Sequence, residues 1–167
     1  MVYSLRVRRP SLTTALLPVA LLLAACVDTD AAVFVAVAVD APRAEVTTTA
    51  FGIALTGAFT LTLHLGPRAT GASQVQLLSA KVLDAKQTGE IIGALPASTT
   101  TTLPVTVDLD SDVAVPFTFD TGAKLPADLQ GKLCDPAGIV IAGAIQDSLQ
   151  STSTPFASAV IHATGCP

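Results

Sequence analysis

The chain has almost no aromatic side chains other than phenylalanine. It contains no tryptophan, and its single tyrosine is Tyr3. Many proteins stack sugars or bases on flat aromatic rings, so this shortage disfavours carbohydrate-binding and base-stacking classes of protein. Aromatic packing inside a fold must come from the six phenylalanines.

Basic residues are also scarce. After residue 25 the chain keeps six of them against thirteen acidic residues, and none of the six has another basic residue within four positions. Proteins that bind nucleic acid need clustered lysine and arginine to neutralise phosphates. We therefore expect that nucleic acid is not a partner.

Common catalytic motifs are missing as well. The sequence has no GxSxG elbow, no SxxK, no HExxH and no glycine-rich phosphate loop. Its only glutamates are Glu45 and Glu90, and its only histidines are His64 and His162. We expect no enzymatic activity and no cofactor. The alternative is a metal-dependent hydrolase, which gains support if His64 and His162 lie within ligand distance of each other or of a carboxylate in the fold, and fails if they lie on opposite faces.

No apolar run is long enough to be a good permanent membrane span. Arg6, Arg8 and Arg9 precede an apolar run at 11–23, which is shorter than the roughly 20 residues of a spanning helix. The small residues and cysteine of Ala24-Ala25-Cys26 follow at once. This order predicts a cleaved signal peptide at 1–25.

Leu23-Ala24-Ala25-Cys26 resembles the lipobox of bacterial lipoproteins, an aliphatic residue and two small residues before cysteine. The resemblance covers residues 1–26. It implies that the thiol of Cys26 receives a diacylglyceryl group and that Cys26 becomes the acylated first residue of the mature chain. Each buried CH₂ of such lipids contributes about 0.8 kcal/mol, so two or three acyl chains anchor a protein firmly. The resemblance therefore implies a lipid-anchored protein of the cell envelope.

The residue after the cysteine bears on the destination. In lipoproteins a residue other than aspartate here favours the outer membrane, and this chain has Val27. In a source with a single membrane, the implied location is the outer face of the plasma membrane. Two other interpretations stay open: an ordinary secretory signal with a chance cysteine, and twin-arginine export through Arg8-Arg9, from whose usual context Pro10 and Ser11 depart.

The mature chain divides into a short tether at 26–32 and one domain at 33–167. The domain is rich in valine, threonine, isoleucine and alanine, with glycine and proline at close intervals. This composition is typical of many short strands. It predicts seven to nine strands and an all-β fold, a two-sheet antiparallel β-sandwich of immunoglobulin-like architecture.

Alternation of apolar and polar residues predicts the individual strands. The clearest alternation, at 59–65, predicts one buried and one wet face. The other strands are predicted at 33–39, 44–51, 75–83, 90–95, 105–109, 113–119, 139–146 and 156–163. One short helix is predicted at 126–133, as a crossover between the sheets.

An acidic corner separates two of these strands and predicts a hairpin. Asp108, Asp110 and Asp112 are spaced like the first ligands of an EF-hand calcium loop, but Val113 replaces the required glycine and Phe119 the required glutamate. We interpret the three carboxylates as a solvated corner that deters edge-to-edge pairing, with bound calcium as the alternative.

The last two strands predict where the remaining cysteines meet. Folded back on each other about residue 150, they bring together Ile139 with Ile161, Ile141 with Ala159, and Cys134 with Cys166. Export to an oxidising compartment favours a structural disulfide between these cysteines. A redox pair or a metal site is the alternative, although the chain has no CxxC.

The predicted role of the domain is binding, adhesive or structural. The alternative is a subunit of an envelope assembly, in which a protein partner completes an exposed strand edge. Long apolar edges favour such an assembly, and the lysine-free stretches 33–39 and 138–145 are the candidates.

Overall fold

The computed structural model describes residues 32–167, and strands dominate this part of the chain. Its nine strands are β1 Ala36–Thr49, β2 Gly52–Leu65, β3 Ser73–Asp84, β4 Glu90–Ile92, β5 Ala97–Ser98, β6 Val105–Val107, β7 Ser111–Asp120, β8 Ile139–Asp147 and β9 Thr154–Ala157. A 3₁₀ turn at Ala127–Leu129 leads into a short helix, α1, at Gln130–Leu133. This helical segment connects β7 to β8, so the predicted crossover between sheets is confirmed.

The strands form two antiparallel sheets that pack face to face. One sheet has the order β1-β2-β7-β5, and the other has the order β4-β3-β8-β9 with β6 also paired to β3. The two-sheet antiparallel sandwich is therefore confirmed, while its immunoglobulin-like character stays a prediction. We call the end where β1 begins and β8 finishes the near end, and the end that carries the β1–β2 turn the far end.

The core lies between the two sheets, and β2 contributes to it by strict alternation. Along β2 the side chains of Phe59, Leu61, Leu63 and Leu65 are buried and the residues between them are partly exposed, as the periodicity predicts. Phe59 stacks on Phe117 of β7 with ring centroids 5.3 Å apart. The phenylalanines therefore hold one sheet together at its centre.

Two glycines let backbone and aromatic rings approach closely. A Cβ atom at Gly143 would lie 2.1 Å from the carbonyl oxygen of Ser79 and 2.6 Å from the ring of Phe156. The ring of Phe156 in turn lies 6.2 Å from that of Phe59 across the sandwich. Gly57 is crowded in the same way by the ring of Phe119. Neither position has room for a side chain.

The strands predicted at 33–39 and 44–51 are one strand, which corrects the prediction. β1 runs through both segments with a register shift between Asp40 and Arg43. Ala41 has a positive φ of 46°, and one residue bulges out beside Pro42. The bulge is tolerated because β1 is an edge strand, where proline need not donate a ladder hydrogen bond.

The hairpin predicted at the acidic corner is wrong. β6 pairs with β3 in one sheet, whereas β7 pairs with β2 in the other. The corner therefore carries the chain from sheet to sheet, with Asp110 at a positive φ of 54°. Equal alternation on both sides of a short turn does not say which neighbour each strand will pair with.

The register predicted for the last two strands is correct at the open end of the hairpin and wrong by one residue throughout β9. Ile139 does pair with Ile161. Within β9, however, Ala142 lies opposite Ala157, a shift of one residue, so Ile141 does not face Ala159. The paired segment is also shorter than the predicted strand at 156–163.

A serine side chain accounts for that shift. Ser158 donates its backbone N–H to the carbonyl oxygen of Ile141 at 2.8 Å, and its Oγ accepts the N–H of Ile141 at 3.0 Å. The hydroxyl thus replaces a backbone acceptor and lets the chain take in one extra residue before Ile161.

Candidate functional site

The far half of the β1 edge is covered by the end of the chain. The N–H of Val46 donates to the carbonyl oxygen of Thr164 at 2.8 Å, and the N–H of Thr164 donates to that of Ala44 at 3.0 Å. Glu45 and Thr164 form a parallel bridge. Thr164 therefore acts as a short extra strand beside β1, although no strand was predicted to reach this position.

The near half of the same edge is uncovered within residues 32–167. The N–H of Leu55 donates to Oγ1 of Thr121, on the β7 side of β2, and β2 then pairs with β7 without a register shift as far as Leu65. Alternate residues of β2 therefore point their backbone groups towards β1, among them Thr62 opposite Ala38.

It follows that Val37 and Val39 point their backbone N–H and C=O groups away from β2. No backbone partner for these groups is found in the described part of the chain. β9, the edge strand of the other sheet, contacts β1 but does not pair with it. The first candidate edge stretch, 33–39, thus does end in an open strand edge.

The second candidate edge stretch, 138–145, is not an edge, which corrects the prediction. It forms most of β8, which pairs with β3 on one side and β9 on the other, so it offers no edge. Val140 and Ile141 are completely buried. A run of apolar residues without charge marks a central strand as readily as an exposed edge.

A buried carboxylate fixes the start of the domain. Asp147, at the end of β8, is fully buried. Its Oδ2 accepts the backbone N–H of Val35 at 2.9 Å, and its Oδ1 accepts the N–H of Leu149 at 2.9 Å and the hydroxyl of Ser73. No motif in the sequence marks this group, and its only signal is an acidic residue directly after an apolar strand.

Cys134 and Cys166 form a disulfide with their Cα atoms 5.7 Å apart. Cys134 directly follows α1 at the far end, and Cys166 is two residues after Thr164. The bridge therefore ties the segment that covers the far half of β1 to the crossover between the sheets. The predicted structural pairing is present.

The three aspartates of the acidic corner do not converge. Asp112 receives a 2.8 Å contact between its Oδ1 and Nδ1 of His64, across the β2–β7 pair. Within residues 32–167, no group of three histidine, cysteine, aspartate or glutamate side chains is placed to hold a metal ion. Asp108 contributes its carbonyl oxygen, which accepts the Ser111 hydroxyl at 2.7 Å and closes the turn.

The two histidines lie in different places. His64 is in a row with Ala36 and Asp112 at the near end, whereas His162 borders a surface depression beside Arg43. Of the two observations that would favour a hydrolytic site, a histidine within reach of a carboxylate is found at His64. The two histidines themselves do not meet.

A cleft of about 460 Å³ lies at the far end beside the β3–β4 turn. Acidic and basic side chains line it together: Asp84, Glu90, Asp135, Lys86 and Lys132. Hydrogen bonds from the backbone N–H and the hydroxyl of Thr88, opposed by partial desolvation, hold the pKa of Asp84 below its usual value of 3.8. These hydrogen bonds close the β3–β4 turn, so the role of Asp84 in this cleft is structural.

Large apolar side chains are exposed at both ends of the sandwich. Phe51, in the β1–β2 turn at the far end, is 92% exposed. Val33, Phe34 and Leu109 are each 45% exposed, and they flank β1 and β7 at the near end. An aromatic ring so fully exposed is a feature that binding surfaces commonly use.

Cys26 and the rest of the sequence that resembles a lipobox lie outside the described residues. The nearest described feature is Val35, the first buried residue of the domain. Within residues 32–167, no helix has the length and apolar character to cross a membrane.

Comparison with known proteins returned no similarity. No protein-family model, no curated protein and no solved structure matches this chain.

Proposed function

We propose that this chain is a lipid-anchored bacterial envelope protein whose β-sandwich domain has a binding, adhesive or structural role. The observation that carries the proposal is the division of its three cysteines. Cys134 and Cys166 bond to each other, which leaves Cys26 alone at the position where a lipobox requires the acylated thiol.

The position of the domain relative to the anchor supports this proposal. Only eight residues separate Cys26 from Val35, which the hydrogen bond to Asp147 holds in the sandwich. Fully extended, the segment spans about 30 Å. The near end is therefore kept close to the membrane. We propose the outer membrane as the location because of Val27, or the outer face of the plasma membrane in a source with one membrane.

The experiment is replacement of the acylated thiol. Cys26→Ala is expected to abolish labelling by a radioactive or alkynyl fatty acid and to release the protein from the membrane fraction. The control is the double variant Cys134→Ala/Cys166→Ala, which must keep both the label and the membrane fractionation. Label and membrane retention that survive Cys26→Ala would overturn the proposal.

A second candidate function is a subunit of an envelope assembly joined through strand edges. The open backbone groups of Val37 and Val39 favour it, because unpaired edges accept an added strand. Thr164 shows that the same edge, further along, already accepts an extended segment. Soluble protein lacking the anchor that stays monomeric at high concentration would count against this candidate.

A further inference from the structure

We propose that two copies of this chain pair through residues 36–40 of β1, antiparallel and with Ala38 on the twofold axis. This inference deepens the assembly candidate above and rests on it. It names the partner as a second copy and gives the register. The four-stranded sheet of one copy would then join the four-stranded sheet of the other copy in one continuous sheet.

The backbone permits one register. Val37 and Val39 are the residues of this segment whose backbone groups point outwards, and no described residue pairs with them. Placing Val37 opposite Val39 of the second copy uses all of these groups in four hydrogen bonds, with Ala38 facing Ala38 as a pair without hydrogen bonds. Such a closed, isologous contact stops at two copies.

Both ends of the segment block other registers. On one side, the N–H of Val35 is already bonded to Asp147 and cannot join a ladder. On the other side, the bulge at Ala41 and the missing N–H of Pro42 end the regular edge. Moving the register by one pair in one direction would place Val39 opposite Val35. Moving it in the other direction would place Val37 opposite Ala41, so both alternatives meet a blocked position.

The side chains are also self-complementary in this register. On the face turned to the core, valine lies opposite valine, and such β-branched pairs stabilise a sheet. On the exposed face, Ala38 faces Ala38 and Ala36 faces Asp40, so no two like charges are opposed. Asp40 is held in place by the hydroxyl of Thr62, which donates to its Oδ2 at 2.6 Å.

Membrane attachment matches this geometry. Val35 lies three residues from Ala38, about 10 Å along the strand, so the two tethers begin about 20 Å apart. Each tether reaches about 30 Å, which lets both anchors enter one leaflet. A five-residue strand pair buries less than the roughly 1,200 Å² of a standard stable interface. Confinement to one membrane raises the effective concentration that this weak contact needs.

The test is oxidative cross-linking of the full chain in isolated membranes. Ala38→Cys is expected to give a disulfide-linked dimer, since facing Cα atoms in such a pair lie about 4.5 Å apart. Two controls place the thiol elsewhere on the same exposed face, Ala36→Cys on β1 and Ala114→Cys on β7. In the proposed dimer, the Cα atom of each control residue lies farther from the same residue of the second copy than the roughly 7 Å that a disulfide can bridge. Ala38→Cys should therefore give at least about tenfold more dimer than either control.

Either of two results would overturn the pairing: no dimer from Ala38→Cys, or equal dimer from all three variants. A further variant checks the hydrogen bonds. Adding Val39→Pro to Ala38→Cys removes one outward N–H and should abolish the dimer, whereas Val39→Ala should not. Unchanged protection of the Val46 amide from hydrogen exchange shows that the sandwich itself is intact.

The outcomes also separate this inference from the anchor. If Cys26→Ala leaves acylation and fractionation unchanged, the anchor proposal fails. Cross-linking of concentrated Cys26→Ala/Ala38→Cys chain in solution then still decides the pairing, because the register does not depend on the lipid.

Discussion

The backbone N–H of Val35 donates to Oδ2 of Asp147, so the first buried residue of the domain is tied to a carboxylate 112 positions later. The same carboxylate accepts Leu149 and Ser73. One buried charge thus joins β1, β3 and β8 at the near end. This carboxylate accepts three hydrogen bonds. A substitution that removes an acceptor oxygen leaves a buried donor without a partner, and this costs stability.

Asp147→Asn keeps the shape of the side chain but turns an NH₂ group towards an N–H or O–H donor. We expect a loss of about 1.5–3 kcal/mol in the free energy of unfolding, since hydrogen bonds to charged groups are worth about that much. Urea denaturation measures it. The matched control is Asp128→Asn, an exposed aspartate, which should change stability by less than about 0.5 kcal/mol. Equal effects at the two positions would contradict this role of Asp147.

A glycine-to-alanine pair tests the close packing of the core. Gly143→Ala introduces a methyl group that must push away the Ser79 carbonyl and the Phe156 ring. Overpacking of this kind costs about 1–3 kcal/mol. Gly131→Ala, in α1 with nothing within 4 Å, should instead stabilise the protein by up to about 1 kcal/mol. Thermal unfolding of the two variants should therefore shift in opposite directions.

Removal of the disulfide tests the cover on β1. In the chain-entropy model a closed loop of this size contributes about 3.7 kcal/mol, so Cys134→Ala/Cys166→Ala should lower the free energy of unfolding by several kcal/mol. Hydrogen exchange gives the local readout, because the N–H of Val46 depends on Thr164. Its protection should fall more than that of Leu61 in the centre of the sheet. A uniform change across both amides would mean that the bridge does not hold this segment.

The pH dependence of the β3–β4 turn follows from Asp84. Its pKa in the folded chain lies below the usual 3.8, so its ionised form is the one that folding favours. The stabilisation is fully present above the unfolded pKa and is lost as pH falls through the folded pKa. Asp84→Asn should therefore destabilise the protein at neutral pH and approach the parent chain in acid. NMR titration of Thr88→Ala, which lacks one donor, should show a higher pKa for Asp84 than in the parent.

Sequence periodicity was sufficient for the architecture because most strands bury one face. Alternation along β2 gave the buried face correctly, and the composition gave the two-sheet sandwich. The position of Cys134 relative to Cys166 followed from a simple hairpin argument. Each of these inferences depends on local pattern, which the folded structure preserves.

Pairing between distant strands could not be obtained in this way. The acidic corner looked like a hairpin because nothing in a short turn states which sheet the next strand joins. The stretch 138–145 looked like an edge because apolar runs are common to edges and centres. Asp147 and Thr164 act through partners more than a hundred residues away, at Val35 and Val46. Such contacts have no local signature.

The parallel bridge between Glu45 and Thr164 sets an order of events as the chain is made and folds. β1 is among the first parts of the domain to emerge, yet the segment that covers its far half is among the last. Contacts of such long sequence separation form late and slow the folding of β proteins. Until residue 164 has emerged and Cys134 has found Cys166, the whole edge of β1 stays open. The newly made chain is therefore at greatest risk of aggregation in that interval.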